Sequence, residues 1–188
     1  MNILFLCTGN SCRSQMAEGW ARQMAGEDFE IQSAGIEAHG QNPRAISVMR
    51  EAGVDISTQE STRLTDEMLA AADLVVTVCG HADEHCPAVP AGTKKVHWPL
   101  SDPARARGDE AAVMETFRAT RDEVERRVRD LIRLSQGRIK VFCGTDDLAL
   151  ESFFMGAVGF ISVIGNIVPG MSQRLFDQVQ AGDLDGPD

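Results

Sequence analysis

Over the first two thirds of the chain, short apolar runs alternate with stretches in which apolar residues recur at helical spacing. That order predicts βαβ units and a parallel sheet. Asn2 to Leu6 is a continuous apolar strand. Gln15 to Ala25 follows as a helix, with Met16, Trp20 and Met24 four residues apart and Gly26 at its end. Phe29 to Ser33 reads as a second strand. Pro43 to Ala52 reads as a helix with proline in its first turn and Gly53 behind it. Thr65 can cap a short helix through Ala72, with Asp66 and Glu67 well placed in its first turn. Leu74 to Val78 is a third strand, β-branched and buried, and Lys95 to Trp98 a fourth. Asp109 to Leu134 is one long amphipathic helix with Val113, Phe117, Val124, Val128, Leu131 and Ile132 on its inner face. The expected class is α/β, a three-layer arrangement with helices on both faces of a parallel sheet.

Gln136-Gly137 ends that pattern and a second βαβα pattern begins. Ile139 to Cys143 and Phe160 to Ile164 read as strands, Asp147 to Ala157 and Gly170 to Ala181 as helices, and Gly182 to Asp188 as a polar, fraying end. The division expected is therefore 1–136 and 137–188. Ser152 to Gln173 has no charged residue, and that length can nominally cross a bilayer. Its four glycines, Asn166 and Pro169 instead read as a helix end, a turn and a buried strand.

A net charge of -10 argues against nucleic acid and against an anionic membrane surface as partners. An acidic body that attracts an oxyanion needs a locally positive site built from backbone N–H groups and an arginine. The five cysteines are an odd number, and the segment Met1 to Cys7 lacks the basic flank and length of a secretory leader. A cytoplasmic location is expected, where cysteine is reactive or metal-binding more often than stapling.

Cys7-Thr8-Gly9-Asn10-Ser11-Cys12-Arg13-Ser14 lies between a buried strand and a helix. A turn there points successive N–H groups inward, and the helix N-terminus adds its positive end. Arg13 offers a planar, bidentate clamp for a tetrahedral oxyanion. Cys7, at the mouth of the loop, gains a stabilised thiolate. Asn10 and Ser14 can hold the loop's shape or bond the sulfur. The bland alternative is a buried cysteine before a glycine turn. The lysine of an ATP-binding loop is missing.

This loop resembles that of the low-molecular-weight protein tyrosine phosphatase superfamily. The longer run Cys7 to Trp20, and Ser33-Ala34-Gly35-Ile36-Glu37-Ala38-His39-Gly40, resemble its thioredoxin-coupled arsenate reductase branch. The likeness extends to the end of the long helix near Leu134. It implies a site in which Thr8, Gly9, Asn10, Ser11, Cys12 and Arg13 bind the oxyanion. It also implies that Asp102, in Ser101-Asp102-Pro103, is the general acid, although Asp-Pro alone is a common turn pair. Cys79 and Cys86, with proline following the second, match the branch's two further thiols. The resemblance implies attack by Cys7 on arsenate, a Cys7–Cys79 disulfide, then a Cys79–Cys86 disulfide reduced by thioredoxin. The segment between the last two must then move.

Taken without the resemblance, Cys79 is a strand-end cysteine and Cys86 an unrelated one. A zinc site with His81 and His85 is another reading, although Cys86-Pro87 offers no evident spacing for a fourth ligand. Cys12 has no task in the three-thiol scheme and reads as a packing residue. The absence of tyrosine, and the neighbours Pro99, Leu100, Ala104 and Arg105 of the Asp-Pro, fit a small inorganic oxyanion better than an aromatic substrate. Some members of the branch hold potassium behind the loop. Asn10, Glu18 and Ser33 resemble its ligands, but Thr62 stands where those members carry an aspartate.

Val141 to Asp147 and Gly156 to Val163 resemble the last two βα units of dihydrodipicolinate synthase, a (β/α)8 barrel lyase. The strand with that enzyme's Schiff-base lysine is absent and Lys140 does not match it, so no lyase activity is implied. The tail is expected either to extend the first sheet through Ile139 to Cys143, beside Lys95 to Trp98, or to self-associate through its apolar run. Cys143 reads as a buried strand-end residue. Three functions follow for the whole: thioredoxin-coupled arsenate reduction, a phosphatase using Cys7, Arg13 and Asp102, or an anion-binding or redox-sensing module without turnover.

Overall fold

A computed structural model describes residues 1–135, 142–143 and 159–160. The chain divides into two compact units, Met1–Ile132 and Arg133–Asp188.

Four parallel strands form the first unit's sheet: β1 (Asn2–Cys7), β2 (Glu30–Gly35), β3 (Leu74–Thr77) and β4 (Lys94–His97), in the order β2-β1-β3-β4. The most apolar runs take the centre. All four residues of β3 are buried and all four of β4 are exposed. Trp98 therefore lies just past its strand, with its ring centroid 5.9 Å from that of Phe5.

The helices are α1 (Arg13–Met24), α2 (Pro43–Glu51), α3 (Asp66–Ala71), α4 (Gly80–His85) and α5 (Glu110–Ser135), with one 3-10 turn at Pro103–Arg105. Capping explains several starts. The Asn42 side chain accepts from Arg44 N ahead of Pro43, and Thr65 accepts from Met68 N at the head of α3.

Strand alternation sorts the core into two faces. Ile3, Phe5 and Cys7 of β1 join Leu74 and Val76 under α1, α2 and α5, whose Met16, Trp20, Met49, Phe117 and Val124 are buried there. Leu4, Leu6 and Val75 turn the other way and pack with Leu69 of α3. Helices thus cover both faces. The buried positions of α5, Val113, Phe117, Thr120, Val124, Val128 and Ile132, recur at three and four residues and include a threonine.

The described part of the strand expected over Ile139 to Cys143 belongs to a separate sheet. Phe142–Cys143 (β5) pairs in parallel with Gly159–Phe160 (β6) in a two-stranded sheet of its own. β4 presents two lysines on four exposed residues, an edge of the kind that resists a further strand. The remaining elements expected within 137–188, and the environment of Cys143, lie outside the described residues.

Candidate functional site

Strand order reverses at β1, which pairs with β2 on one side and β3 on the other. Ligands of parallel sheets bind beyond the carboxyl ends of the strands at such a point. Leu6 sits opposite Thr77, so the segments that follow β1 and β3 emerge together. Cys7 closes β1 there, Cys79 follows β3, and Asp102 follows β4.

The loop after Cys7 is fixed from outside. Ile36 N donates to Cys7 O, Glu37 N to Thr8 O, His39 N to Gly9 O and Asn42 N to Ser11 O, at 2.8 to 3.1 Å. Because a peptide's N–H and C=O point opposite ways, carbonyls turned outward leave amides facing inward. Asn10 adopts a left-handed φ of 44°, which asparagine tolerates better than most residues. Gly35 lies against this loop: a Cβ there would stand 2.0 Å from Glu37 O and 2.7 Å from Asn10 N.

Two donors converge on the buried Cys7 sulfur. Asn10 N lies 3.1 Å and Ser14 Oγ 2.9 Å from Sγ. Asn10 Nδ2 donates to the same Ser14 hydroxyl at 2.9 Å, which directs the hydroxyl hydrogen onto the sulfur. A thiolate accepts such bonds better than a thiol does. Asn10 is the hub: its Nδ2 also donates to Ser33 Oγ at 2.8 Å, while Oδ1 accepts from Thr62 N at 2.7 Å and Gln15 Nε2 at 3.0 Å. Asn10→Ala strips several buried groups of partners at once. It is expected to lower stability by about 3 kcal/mol, read by urea unfolding.

Arg13 is buried beside the loop. Nη1 donates to Leu100 O at 2.9 Å, Nη2 lies 3.3 Å from Asp102 Oδ2, and the buried Nε has no partner among the described residues. That leftover donor suits an oxyanion in the loop. Asp102 Oδ1 accepts from Ala104 N at 3.2 Å, which caps the 3-10 turn, and Arg105 Nε stands 3.7 Å from Oδ2.

Cys12, also buried, differs from Cys7. Burial above all pushes its thiol up from an ordinary 9.0 to about 11, with the Ser11 hydroxyl opposing the shift. It is a neutral thiol at working pH. A thiol harder to ionise in the folded chain supports folding fully below pH 9.0, and that support is lost as pH rises toward about 11. Relative to Cys12→Ala, the wild-type chain should lose on the order of 2 kcal/mol between about pH 8 and about pH 11, read by denaturant titration.

Cys79 and Cys86 bracket α4, as its N-cap and C-cap. Where the sequence predicts a mobile polar segment, the structure has a helix. Asp83 ties it to the sheet: Lys95 Nζ lies 2.9 Å from Oδ1, and the Thr77 hydroxyl donates to the same oxygen at 2.9 Å. Those two contacts, Lys95 first, hold the Asp83 carboxyl below its ordinary value. Cys79 packs with the α1 face of the core, whereas half-buried Cys86 packs with Leu4 and its neighbours on the opposite face. Burial raises the Cys86 thiol, and Lys95 partly offsets that. Seven residues at helical rise place the two Cα atoms about 10 Å apart. A disulfide spans less than about 7 Å, so α4 must unwind before the two sulfurs bond.

Asn10, Glu18 and Ser33, where the resemblance implies potassium, lie together behind the loop. Glu18 is buried; it accepts from Ser33 Oγ at 2.6 Å and pairs with Arg22 Nη2 at 2.7 Å. Burial raises its carboxyl, and the Ser33 bond and Arg22 pull it back. Asn10 turns an amide nitrogen, not its oxygen, toward Ser33. A guanidinium thus already supplies the positive charge and the oxygens are engaged, so these residues do not fit a potassium ion. His81 and His85 stack on each other with centroids 4.1 Å apart. Among the described residues, no group of three or more His, Cys, Asp or Glu is placed to hold a metal.

Sequence reasoning missed Gln15, Gly35 and the Leu100 carbonyl. Gln15 Nε2 also donates to Glu60 O at 2.9 Å, and its Oε1 accepts from Gln59 at 2.7 Å. Only its place beside the motif hinted at this role.

Comparison with known proteins points the same way. A family model described as low molecular weight phosphotyrosine protein phosphatase matches residues 2–140, and one described as the dihydrodipicolinate synthetase family matches residues 110–186. An arsenate reductase of Halalkalibacterium halodurans is 53% identical over 127 residues, covering 68% of this chain and 91% of that protein. A solved arsenate reductase in its phosphate-binding state is 34% identical, with a TM-score of 0.58, over 70% of this chain and 95% of that one. A thioredoxin-dependent arsenate reductase of Corynebacterium glutamicum is 31% identical, with a TM-score of 0.56, over 71% of this chain and 62% of that one.

Proposed function

We propose that this chain, which belongs to the low molecular weight phosphotyrosine protein phosphatase family, reduces arsenate to arsenite through Cys7, Cys79 and Cys86 and is recycled by thioredoxin. The observation that carries this reading is the second thiol at the anion loop. Cys79 lies within reach of Thr8 of that loop, its Sγ 3.4 Å from the hydroxyl, and a phosphatase reaction has no use for it.

The Cys7 thiolate, held by Asn10 N and Ser14, attacks arsenic. Arg13 and the loop amides take the oxyanion's charge. Asp102 hands a proton to the departing oxygen, which leaves as water. Cys79 then attacks Cys7 sulfur. The S–As bond breaks with its electron pair going to arsenic, which leaves as arsenite while a Cys7–Cys79 disulfide forms. Cys86 attacks Cys79, Cys7 is freed, and the Cys79–Cys86 disulfide takes two electrons from thioredoxin. Cys12 takes no part.

Arsenate and phosphate share shape and charge, and a relative binds phosphate, so weak phosphatase activity accompanies the main one. A reductase that draws on thioredoxin belongs in the thiol-reducing cytoplasm. Among the described residues no helix is long and apolar enough to cross a membrane. Residues 137–188 supply no group to this scheme, so residues 1–136 carry the activity.

The test is NADPH consumption by the full-length chain with thioredoxin and thioredoxin reductase. Arsenate should start consumption and phosphate should not. Hydrolysis of phosphate monoesters without any arsenate-dependent consumption would instead make the chain a phosphatase.

A further inference from the structure

Resting on the three-thiol reading, we infer that His81 accepts the proton of Cys79 through the Thr8 hydroxyl, making it a positioning and proton-holding residue for the second step. Thr8 Oγ1 stands 3.4 Å from Cys79 Sγ and 3.4 Å from His81 Nδ1. A hydroxyl carries one hydrogen and can accept another, so it bridges both groups in either direction. With a neutral imidazole, the Cys79 thiol donates to Thr8 and Thr8 donates to Nδ1. After transfer, Nδ1–H donates to Thr8 and Thr8 donates to the thiolate. The same heavy atoms hold both states. The proton leaves sulfur for Thr8 oxygen while the Thr8 proton moves to Nδ1, which leaves a Cys79 thiolate facing an imidazolium.

The surroundings allow that charge change. His81 is exposed, and its ring lies on that of His85 at 4.1 Å and 18°. His85 Nδ1 lies 2.9 Å from the His81 carbonyl, which can only accept, so His85 carries its hydrogen there and orients the stack. Among the described residues, uncharged Thr8 of the loop after β1 lies at Nδ1 of the His81 ring and His85 of its own helix stacks on it. Asp83, on the same helix, is engaged by Lys95, with His97 Nδ1 3.8 Å away. An imidazole can both accept and release a proton, and the exposed His81 ring can pass one on to solvent. His81 has no role in the Cys7 attack, which uses Ser14, Arg13 and Asp102.

The experiment isolates the second step in full-length chains carrying Cys86→Ser, in which the reaction stops at the Cys7–Cys79 disulfide. Mixed with arsenate without reductant, the chains are acid-quenched and the disulfide is quantified by mass across about pH 5.5 to pH 9. With His81 present, the rate should climb with pH through a limb that belongs to the imidazole. His81→Ala should lose that limb, run on the order of a hundredfold slower near neutrality, and converge with the parent where thiols ionise unaided. Added imidazole should restore the rate, which a loss of packing would not allow, and Thr8→Val should show the same lost limb. Superimposable pH profiles with and without His81, or a slowed rate that imidazole leaves unchanged, overturn the role of His81. No disulfide at any pH in the parent overturns the three-thiol reading, and this role with it.

Discussion

Cys86→Ser is expected to release one arsenite per chain and then stop, because the Cys7–Cys79 disulfide has no thiol to resolve it. Cys79→Ser is expected to release none, since the arsenic on Cys7 has no attacking sulfur. Multiple turnover with thioredoxin is abolished in both. Phosphate monoester hydrolysis survives in both, because water rather than a thiol resolves a phosphocysteine. Stoichiometry separates the two variants from a general loss of structure: one arsenite against none, in chains that still hydrolyse phosphate esters. Cys79 is buried against the core, so its serine variant also costs some stability, whereas half-buried Cys86 is more tolerant. Steady turnover by Cys86→Ser would mean that thioredoxin reaches the Cys7–Cys79 bond directly, and that α4 need not unwind.

Asp102→Asn is the second large effect, and the sign differs between binding and chemistry. Loss of the proton donor should lower kcat for arsenate reduction and phosphate ester hydrolysis alike by about 10²- to 10⁴-fold, or roughly 3 to 5 kcal/mol of barrier. Oxyanion binding should hold or tighten. Asp102 Oδ2 lies 3.3 Å from Arg13 Nη2, and an oxyanion competes for the same guanidinium. Removing the carboxylate's charge frees Arg13, an effect of about 1 kcal/mol or less for a partly exposed pair. Phosphate inhibition constants and kcat, measured together, read both. A variant with weakened phosphate binding and unchanged kcat would reassign Asp102 to substrate binding.

What could be read from the sequence follows from where the physics is local. β1 and β3 are central, buried on both faces, and therefore written as continuous apolar runs. The caps at Asn42 and Thr65 and the stripe along α5 depend on neighbours within a few residues. α4 left no such trace: it is six residues long, begins with glycine, and carries two histidines and two acids. Its stability comes from Asp83 reaching Lys95 and Thr77, contacts that sequence spacing does not reveal. The sequence sets β4 at Lys95 to Trp98, one residue later than Lys94–His97, because an exposed edge strand has no apolar pattern to fix its ends.

The site divides the same way. Cys7, Arg13 and the loop between them are contiguous, so their chemistry is legible before any fold is known. The Asn10 hub is not, because it joins residues as distant as Gln15, Ser33 and Thr62 in polar contacts with no periodicity. The resemblance that implies potassium does not foretell the Arg22 guanidinium, which pairs with Glu18 four positions before it. The tail misled differently. A long helix is a fair crossover into a parallel neighbour, but β5 found its partner in β6.

The most direct test of the three-thiol relay is a thiol count on the reduced, full-length chain after one equivalent of arsenate, with no thioredoxin present. The mechanism predicts two thiols lost per arsenite released, and a peptide map in which Cys79 is joined to Cys86 while Cys7 and Cys12 remain free. Arsenate that leaves every thiol free, or a stable linkage that excludes Cys86, would contradict it.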